Sequence, residues 1–524
     1  MRPFADYAQY DAVGLSGLVK DGDAHPLELV EAAAESLAAT NPAVNAVIRE
    51  RIDAARLEAA SGGHDGPFGG VPILIKDLVA EEGAPVSFGS VFLRDYVATE
   101  TSEFRHRITR AGFVDLGRTN TPEFGLLPTT EPVLHGPTRN PWDLSRSAGG
   151  SSGGAAAAVA AGIVPLAQAS DGGGSIRIPA STTGLFGLKP SRGRGPRRPG
   201  GAVDYLSTEH AVTRTVRDSA AFLDAIHGAV PGDRFWAPPP TAPFSEAVDR
   251  DPGRLMVAFS VRDFRGARIH PECESAVLET AAVLEGLGHT VVEANPGIDG
   301  ELMADAFIEL WAALAAHAFS LVLDAATERI AAVRRLRRLV GDRRTMRLVA
   351  LLDQRESGLP AFEPFTVALA ERSSRRSQAD LQNAESSLQA IAHQTGDFLA
   401  DHDVFLTPVL GSPPVPLGTF DQTLPWDELI EMVYRYVAFT PLGNFAGLPA
   451  MSVPLHWTPD DLPVGSHFLG RFGSEETLLS LAAQLERAQP WADRRPSVPT
   501  QAHRVGPCPL SGRCGADESG RRSV

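Results

Sequence analysis

Two glycine- and serine-rich runs lie close together in this chain, and they narrow what it can fold into. Residues 147–154 read Ser-Ala-Gly-Gly-Ser-Ser-Gly-Gly and lead straight into the helix-forming stretch Ala155 to Ala161. Residues 169–179 read Ala-Ser-Asp-Gly-Gly-Gly-Ser-Ile-Arg-Ile-Pro. Gly172, Gly173 and Gly174 let the backbone turn so that successive N–H groups can converge on a developing oxyanion. Ser175 follows in the position of a nucleophile, with Asp171 and Arg177 able to brace the loop. A phosphate-binding loop ends in Gly-Lys-Ser/Thr, which neither run contains, and Gly-x-Gly-x-x-Gly does not fit residues 149–154. A nucleophile elbow, Gly-x-Ser-x-Gly, matches literally at 149–153 but needs a buried strand before its serine, and residues 139–146 read as loop. A flexible linker is excluded by the alanine helix and the second glycine loop that follow directly.

Base chemistry on a serine needs a titratable partner, and here composition matters. Among 48 basic residues only Lys20, Lys76 and Lys189 are lysines; the rest are arginines, which do not give up a proton in proteins. Lys76 ends an otherwise apolar run, Val71-Pro72-Ile73-Leu74-Ile75. Burial there would lower its pKa and make the amine a usable base. Pairing with Asp77, or snorkelling to the surface, is the alternative from position alone. A net charge of −16 without a basic block argues against nucleic acid or an anionic membrane as partner. The clusters at 192–198 and 334–338 read as solvated faces. Three cysteines exclude a disulfide framework. No His-Glu-x-x-His or ligand-spaced Cys/His group points to a metal, no secretory signal is visible at the start, and Leu310 to Leu323 reads as a buried helix. A cytoplasmic protein is expected.

Helical periodicity over the first sixty residues, continuing from Asn45 to Ala60, precedes an alternation of short apolar strands and helices up to about residue 220. The expected class is therefore α/β, a central sheet covered by helices. A Pro-, Gly- and Asp-rich connection spans 228–253, and a strand–helix–strand unit runs through Arg254–Phe259, Cys273–Gly286 and Thr290–Glu293. Residues 301–400 read as helical, where a substrate-shaping region would sit. Short strands return at Val404–Leu406 and Met451–Val453 before a last helix, Glu475–Glu486. One domain over 1–495 and a disordered tail over 496–524 are expected.

The chain strongly resembles the amidase signature hydrolases. The resemblance rests on Gly70-Val71-Pro72 through Lys76-Asp77, Gly117-Arg118-Thr119-Asn120-Thr121-Pro122-Glu123-Phe124, Gly149 to Gly154, and Ser170 through Ala180 to Gly187-Leu188-Lys189-Pro190. It continues in Pro441 to Ala450 and Leu462 to Gly465, and reaches to about residue 490. Arg139-Asn140-Pro141-Trp142 and Pro231-Gly232-Asp233-Arg234-Phe235 resemble, more narrowly, amidases acting on cyclic or linear aminohexanoate (nylon) oligomers. The resemblance implies an amidase signature fold, a mixed sheet surrounded by helices, and a Ser–cis-Ser–Lys catalytic set. Ser175 would be the acylated nucleophile, Ser151 the bridging serine after a cis peptide, and Lys76 the base. Backbone N–H groups of Gly172, Gly173 and Gly174, with Ser175, would form the oxyanion hole. The implied function is hydrolysis of a small linear or cyclic carboxamide with no cofactor. Ala169 stands where many members have Gly, which bears on packing. Lys189 is expected to be structural, and Lys20 a surface residue.

Candidate pocket residues are Thr129, Trp142 and Asn444, with Glu123, Phe439 and the Leu310–Leu323 helix. The alternatives are ester cleavage or acyl transfer through the same serine, or a glutamyl-tRNA amidotransferase A-like subunit. Those subunits usually carry Gln where this chain has Ile178. A scaffold that kept the fold would need the catalytic set broken, and all three members are present. Oligomeric state is not legible, and a homodimer stays open.

Overall fold

A computed structural model of the chain describes residues 3–197, 204–329, 354–355 and 358–499. The alternation of apolar strands and helices builds one large mixed sheet with helices packed over it. In chain order the strands are β1 (Val47–Glu50), β2 (Pro72–Lys76), β3 (Val114–Thr119), β4 (Arg139–Asn140), β5 (Asp143–Ser147), β6 (Leu166–Asp171), β7 (Phe186–Lys189), β8 (Thr208–Thr213), β9 (Met256–Phe259), β10 (Thr290–Glu293), β11 (Val404–Pro408), β12 (Ala450–Trp457) and β13 (Pro463–Gly470). Among the described residues eleven of these form one sheet, ordered β1-β3-β2-β6-β8-β7-β12-β13-β11-β9-β10, while β4 and β5 pair as a separate ribbon.

The strands β3, β2 and β6 run parallel, so their carboxyl ends share one edge of the sheet. Open α/β sheets place their sites at that edge, and here it carries Thr119, Lys76 and Asp171. The strand β8 runs antiparallel to β6, pairing Leu166 with Thr213 and Asp171 with Thr208. The apolar run before Lys76 is buried along its whole length because β2 is flanked on both sides.

Both glycine–serine runs are loops that feed short buried helices. Gly153–Ala160 is a helix of Gly, Ala and one Val in which every residue is buried. A methyl group on Gly154 would sit 2.4 Å from the Asn120 nitrogen, so only hydrogen fits there. The second run turns into the helix Arg177–Thr183, also buried throughout.

Several expectations change. The Asn45–Ala60 helix is a strand, β1, followed by the helix Ile52–Ser61. The helical spacing of Val47, Ile48 and Ile52 was outweighed by antiparallel pairing with β3, where Gly117 lets the Arg49 backbone close in. Residues 139–146, read as loop, form the β4–β5 ribbon together with Ser147, with β5 half exposed and so unlike the buried strand of a nucleophile elbow. The 301–400 region contains the helices Gly300–Arg329, Pro364–Ser374 and Gln378–Asp401, with the stretch between the first two largely outside the described residues. Gly300–Ser320 is long and apolar enough, by length and composition alone, to cross a membrane. The expected tail lies outside the described residues from 500 onward.

Candidate active site

Lys76 closes β2 with its side chain sealed from solvent. Its Nζ donates to Ser151 Oγ at 2.7 Å, Ser152 Oγ at 2.8 Å and Ser170 Oγ at 3.2 Å. Burial pushes the ammonium pKa down to about 7, against the opposing pull of Glu209 and Asp171. The alternative reading, a Lys76–Asp77 pair, is not what forms. Asp77 turns away and accepts the N–H of Ser87 at 3.0 Å and the Ser87 hydroxyl. Ser151 follows a cis peptide bond from Gly150.

Asp171 shapes the second run. One oxygen accepts the Gly174 N–H at 2.7 Å and the other the Ile176 N–H at 3.2 Å, so the carboxylate grips the loop on either side of Ser175. Burial alone would raise this carboxyl, but the Arg177 guanidinium overrides it and holds the group well below the usual carboxylate range. Arg177 pairs with Asp171 at 2.9 Å, donates to Asn444 Oδ1 at 2.6 Å, and lies 2.9 Å from His467 Nε2. Since Arg can only donate, His467 Nε2 is the acceptor and the proton resides on Nδ1, facing Thr407 at 3.0 Å. Burial, and next the Arg177 charge, hold His467 well below its usual pKa, which fits a neutral ring.

Three backbone N–H groups in this loop, those of Gly172, Gly173 and Ser175, make no hydrogen bond among the described residues. Gly174 differs from the other two glycines. Its N–H is committed to Asp171, so the nest able to receive an oxyanion is Gly172, Gly173 and Ser175. What Gly174 supplies is conformation, at φ +135° and with a would-be Cβ 2.3 Å from Thr440 Oγ1.

Ser175 opens onto a cleft whose walls are mainly apolar, with Asp263, Arg265 and Tyr434 as polar members of the lining. Leu126, Leu127 and Pro128 line one side and Ile178 another, with Met303, Phe307 and Trp311 from the long helix facing them. A Cβ on Gly173 would lie 3.3 Å from the Phe307 ring, and one on Gly172 3.4 Å from Trp311. These aromatic rings therefore rest on the nest. Gly125 lines the cleft with Ser175, and a Cβ there would approach Ser151 Oγ at 3.1 Å. Ser175 Oγ makes no hydrogen bond among the described residues, leaving it free toward the cleft.

The amidase family model matches residues 28–479. The chain belongs to the amidase family. It is 35% identical over 511 residues to the 6-aminohexanoate-cyclic-dimer hydrolase of Paenarthrobacter ureafaciens, covering 94% of this chain and 98% of that one. A solved structure of 6-aminohexanoate cyclic dimer hydrolase superposes with a TM-score of 0.81 at 32% identity, covering 94% and 99%. A bacterial aryl acylamidase of the amidase signature family follows at 0.78 and 28%, covering 92% and 97%. The fold is that of the amidase signature enzymes.

In this amidase the pocket residues expected from sequence fall in different places. Thr129 borders the site: its backbone nitrogen lies where a Cβ on Gly150 would go, at 2.7 Å, but its hydroxyl faces Glu131. Asn444 is a brace instead of a substrate contact, since its amide is spent on Asp171 at 2.8 Å, Leu206 at 3.1 Å and Arg177. Trp142 stands away from the cleft, donating to the Thr183 carbonyl at 2.8 Å and packing on Trp457. Phe439 is buried behind the wall against Phe264. Glu123 lies under the wall, accepting from Ser90 at 2.6 Å and the Glu363 N–H at 2.8 Å. Burial, and next the Glu363 charge, raise it to about 8. On the long helix the lining begins at Gly300 and ends at Trp311, so the 310–323 window misses most of it. Met303, Phe307 and Trp311, every fourth residue, were the missed signal of a lining face. Lys189 is buried and donates to the Pro190 carbonyl at 2.8 Å, and Lys20 is exposed. Among the described residues no three His, Cys, Asp or Glu side chains converge as metal ligands.

Proposed function

We propose that this amidase hydrolyses small, largely apolar linear or cyclic carboxamides through an acyl-enzyme on Ser175. The observation that carries the reading is the 2.7 Å contact of Lys76 Nζ with Ser151 Oγ, in a site where burial brings the lysine to about 7. Lys76 in its neutral form takes the Ser151 proton while Ser151 takes that of Ser175, whose oxygen bonds to the amide carbon. The carbonyl oxygen becomes an oxyanion facing the N–H groups of Gly172, Gly173 and Ser175. Collapse breaks the C–N bond as the proton returns through Ser151 to the departing amine. Water then adds to the acyl group by the same relay and frees the acid. Support for an apolar substrate comes from the cleft wall and from Ile178, which lines it. The cyclic-dimer hydrolase among the relatives supports a compact amide.

A fluorophosphonate probe followed by peptide mapping tests this directly. Labelling is expected at Ser175 and strongly slowed in Lys76→Ala, with a screen of acyl amides showing turnover that favours apolar acyl groups. Modification elsewhere, or labelling of Lys76→Ala at the wild-type rate, would overturn the assignment. Adding hydroxylamine during turnover reads out acyl transfer against hydrolysis.

A further inference from the structure

Glu209 takes no part in the relay, yet it is joined to Lys76 by an unbroken line of contacts. It lies on β8 directly opposite Ser170 of β6, and opposed residues share one face of a sheet. Gln168, two residues before Ser170, shares that face. The Gln168 Nε2 donates to Glu209 Oε2 at 2.6 Å, and its Oε1 accepts the Lys76 backbone N–H at 3.0 Å. A carboxylate only accepts, so it fixes which end of the Gln168 amide faces β2. The other Glu209 oxygen receives Arg197 Nη1 at 2.7 Å.

We propose that Glu209 is a positioning residue for Lys76, holding the end of β2 through Gln168 and setting the electrostatic field behind the amine. The proposal rests on the reading of Lys76 as the base. Two carboxylates bear on the lysine, Glu209 from β8 and Asp171 from β6. Asp171 is locked to Arg177, and the adjacent Asp77 is turned to Ser87. On Glu209 itself bear Arg197 and the Gln168 amide, and the Arg197 backbone in turn reaches Asp233 at 3.3 Å. The Glu209 charge favours the protonated amine and so opposes burial. It keeps the base strong enough to accept a serine proton.

The two roles separate by substitution. Glu209→Gln keeps an acceptor for Gln168 and removes the charge, so the acid limb of kcat/KM moves to lower pH by roughly half a unit or more. Arg197→Gln leaves the carboxylate unopposed and moves the limb upward. Glu209→Ala removes the hold as well, and kcat falls roughly tenfold or more with KM unchanged, because Glu209 does not line the cleft. Folding of each variant is checked by its melting transition, with Glu209→Gln the conservative member. Wild-type limb and kcat in all three variants would overturn the proposal while leaving Lys76 as base. An active Lys76→Ala enzyme, by contrast, would remove the base reading beneath it.

Discussion

Lys76 has an ordinary pKa of 10.5 and stands at about 7 in the fold, because burial strips water from its ammonium. Between those values the unfolded chain holds a proton that the folded chain has lost. Stability from this site therefore rises with pH from about 7 toward 10.5. Below 7 both states are protonated and the whole cost of burying the charge is felt. Replacing Lys76 with Met removes that charge, so Lys76→Met is expected to melt about 1–3 °C higher than wild type at pH 6. The gain should shrink as pH rises toward 10, and kcat should drop by roughly 10³-fold or more. Melting curves at pH 6, 8 and 9.5 check it, and a lower melting temperature at pH 6 would mean that the serine contacts outweigh the buried charge. The wild-type enzyme should show kcat/KM rising through a limb at about 7 as the amine loses its proton. What could be read at this scale from sequence was the set of groups that the proposed relay uses. A lone lysine ending an apolar strand and two serines flanked by glycines are local patterns. Partners such as Glu209 were hidden, because nothing local marks a glutamate that reaches the lysine through another strand's glutamine.

The elements around Ser175 divide the work of its loop unequally. Asp171 and Arg177 clamp the loop from within one short stretch, while Asn444, 273 residues further on, closes the clamp. A family segment rich in Gly, Asn and Pro marks importance without saying on which side of the loop it lies. The Gly172–Gly174 run is likewise not three equivalent residues. Gly173→Ala would press a methyl group to 3.3 Å from a movable Phe307 ring, whereas Gly174→Ala meets Thr440 Oγ1 at 2.3 Å from a positive-φ backbone. Gly174→Ala is thus expected to abolish probe labelling of Ser175 and lower the melting temperature. Gly173→Ala should stay folded, with its main effect a raised KM as Phe307 shifts into the cleft. Equal behaviour of the two in labelling and melting assays would count against this division. The long helix followed the same logic: its apolar character was legible. Its lining face was not, because apolar residues also cover its core-facing side, where Leu310 packs.

Across the whole molecule, the α/β class could be read from alternating strands and helices, but the strand order could not. β7 lies between β8 and β12, a neighbourhood joining residues more than 260 apart that no local pattern records. The same long-range economy brings the first and last described segments together at the edge of the sheet away from the site. Thr213, closing β8, pairs with Leu166 at the start of β6, whereas the loop that carries Ser175 leaves β6 at Asp171, roughly 17 Å away for a strand of this length. Just past Thr213, Arg214 donates to the Ala8 carbonyl at 3.1 Å and to that of Tyr10, while Trp491 Nε1 donates to the Arg214 carbonyl at 2.8 Å. Asp218 receives the Ala12 and Val13 N–H groups at 2.9 Å each, and the Val216 N–H reaches Glu486 at 3.2 Å. Trp491, 2% exposed, is the aromatic plug of this junction. Its replacement in Trp491→Ala empties a packed site and breaks a buried hydrogen bond, a loss on the order of 3–5 kcal/mol. The expected result is a lower melting temperature and faster proteolysis around this junction, with kcat and the acid limb at 25 °C unchanged because the loop hangs from the opposite end of β6. A shift in the acid limb of Trp491→Ala would show instead that strain at this junction travels along β6 and β8 to Lys76.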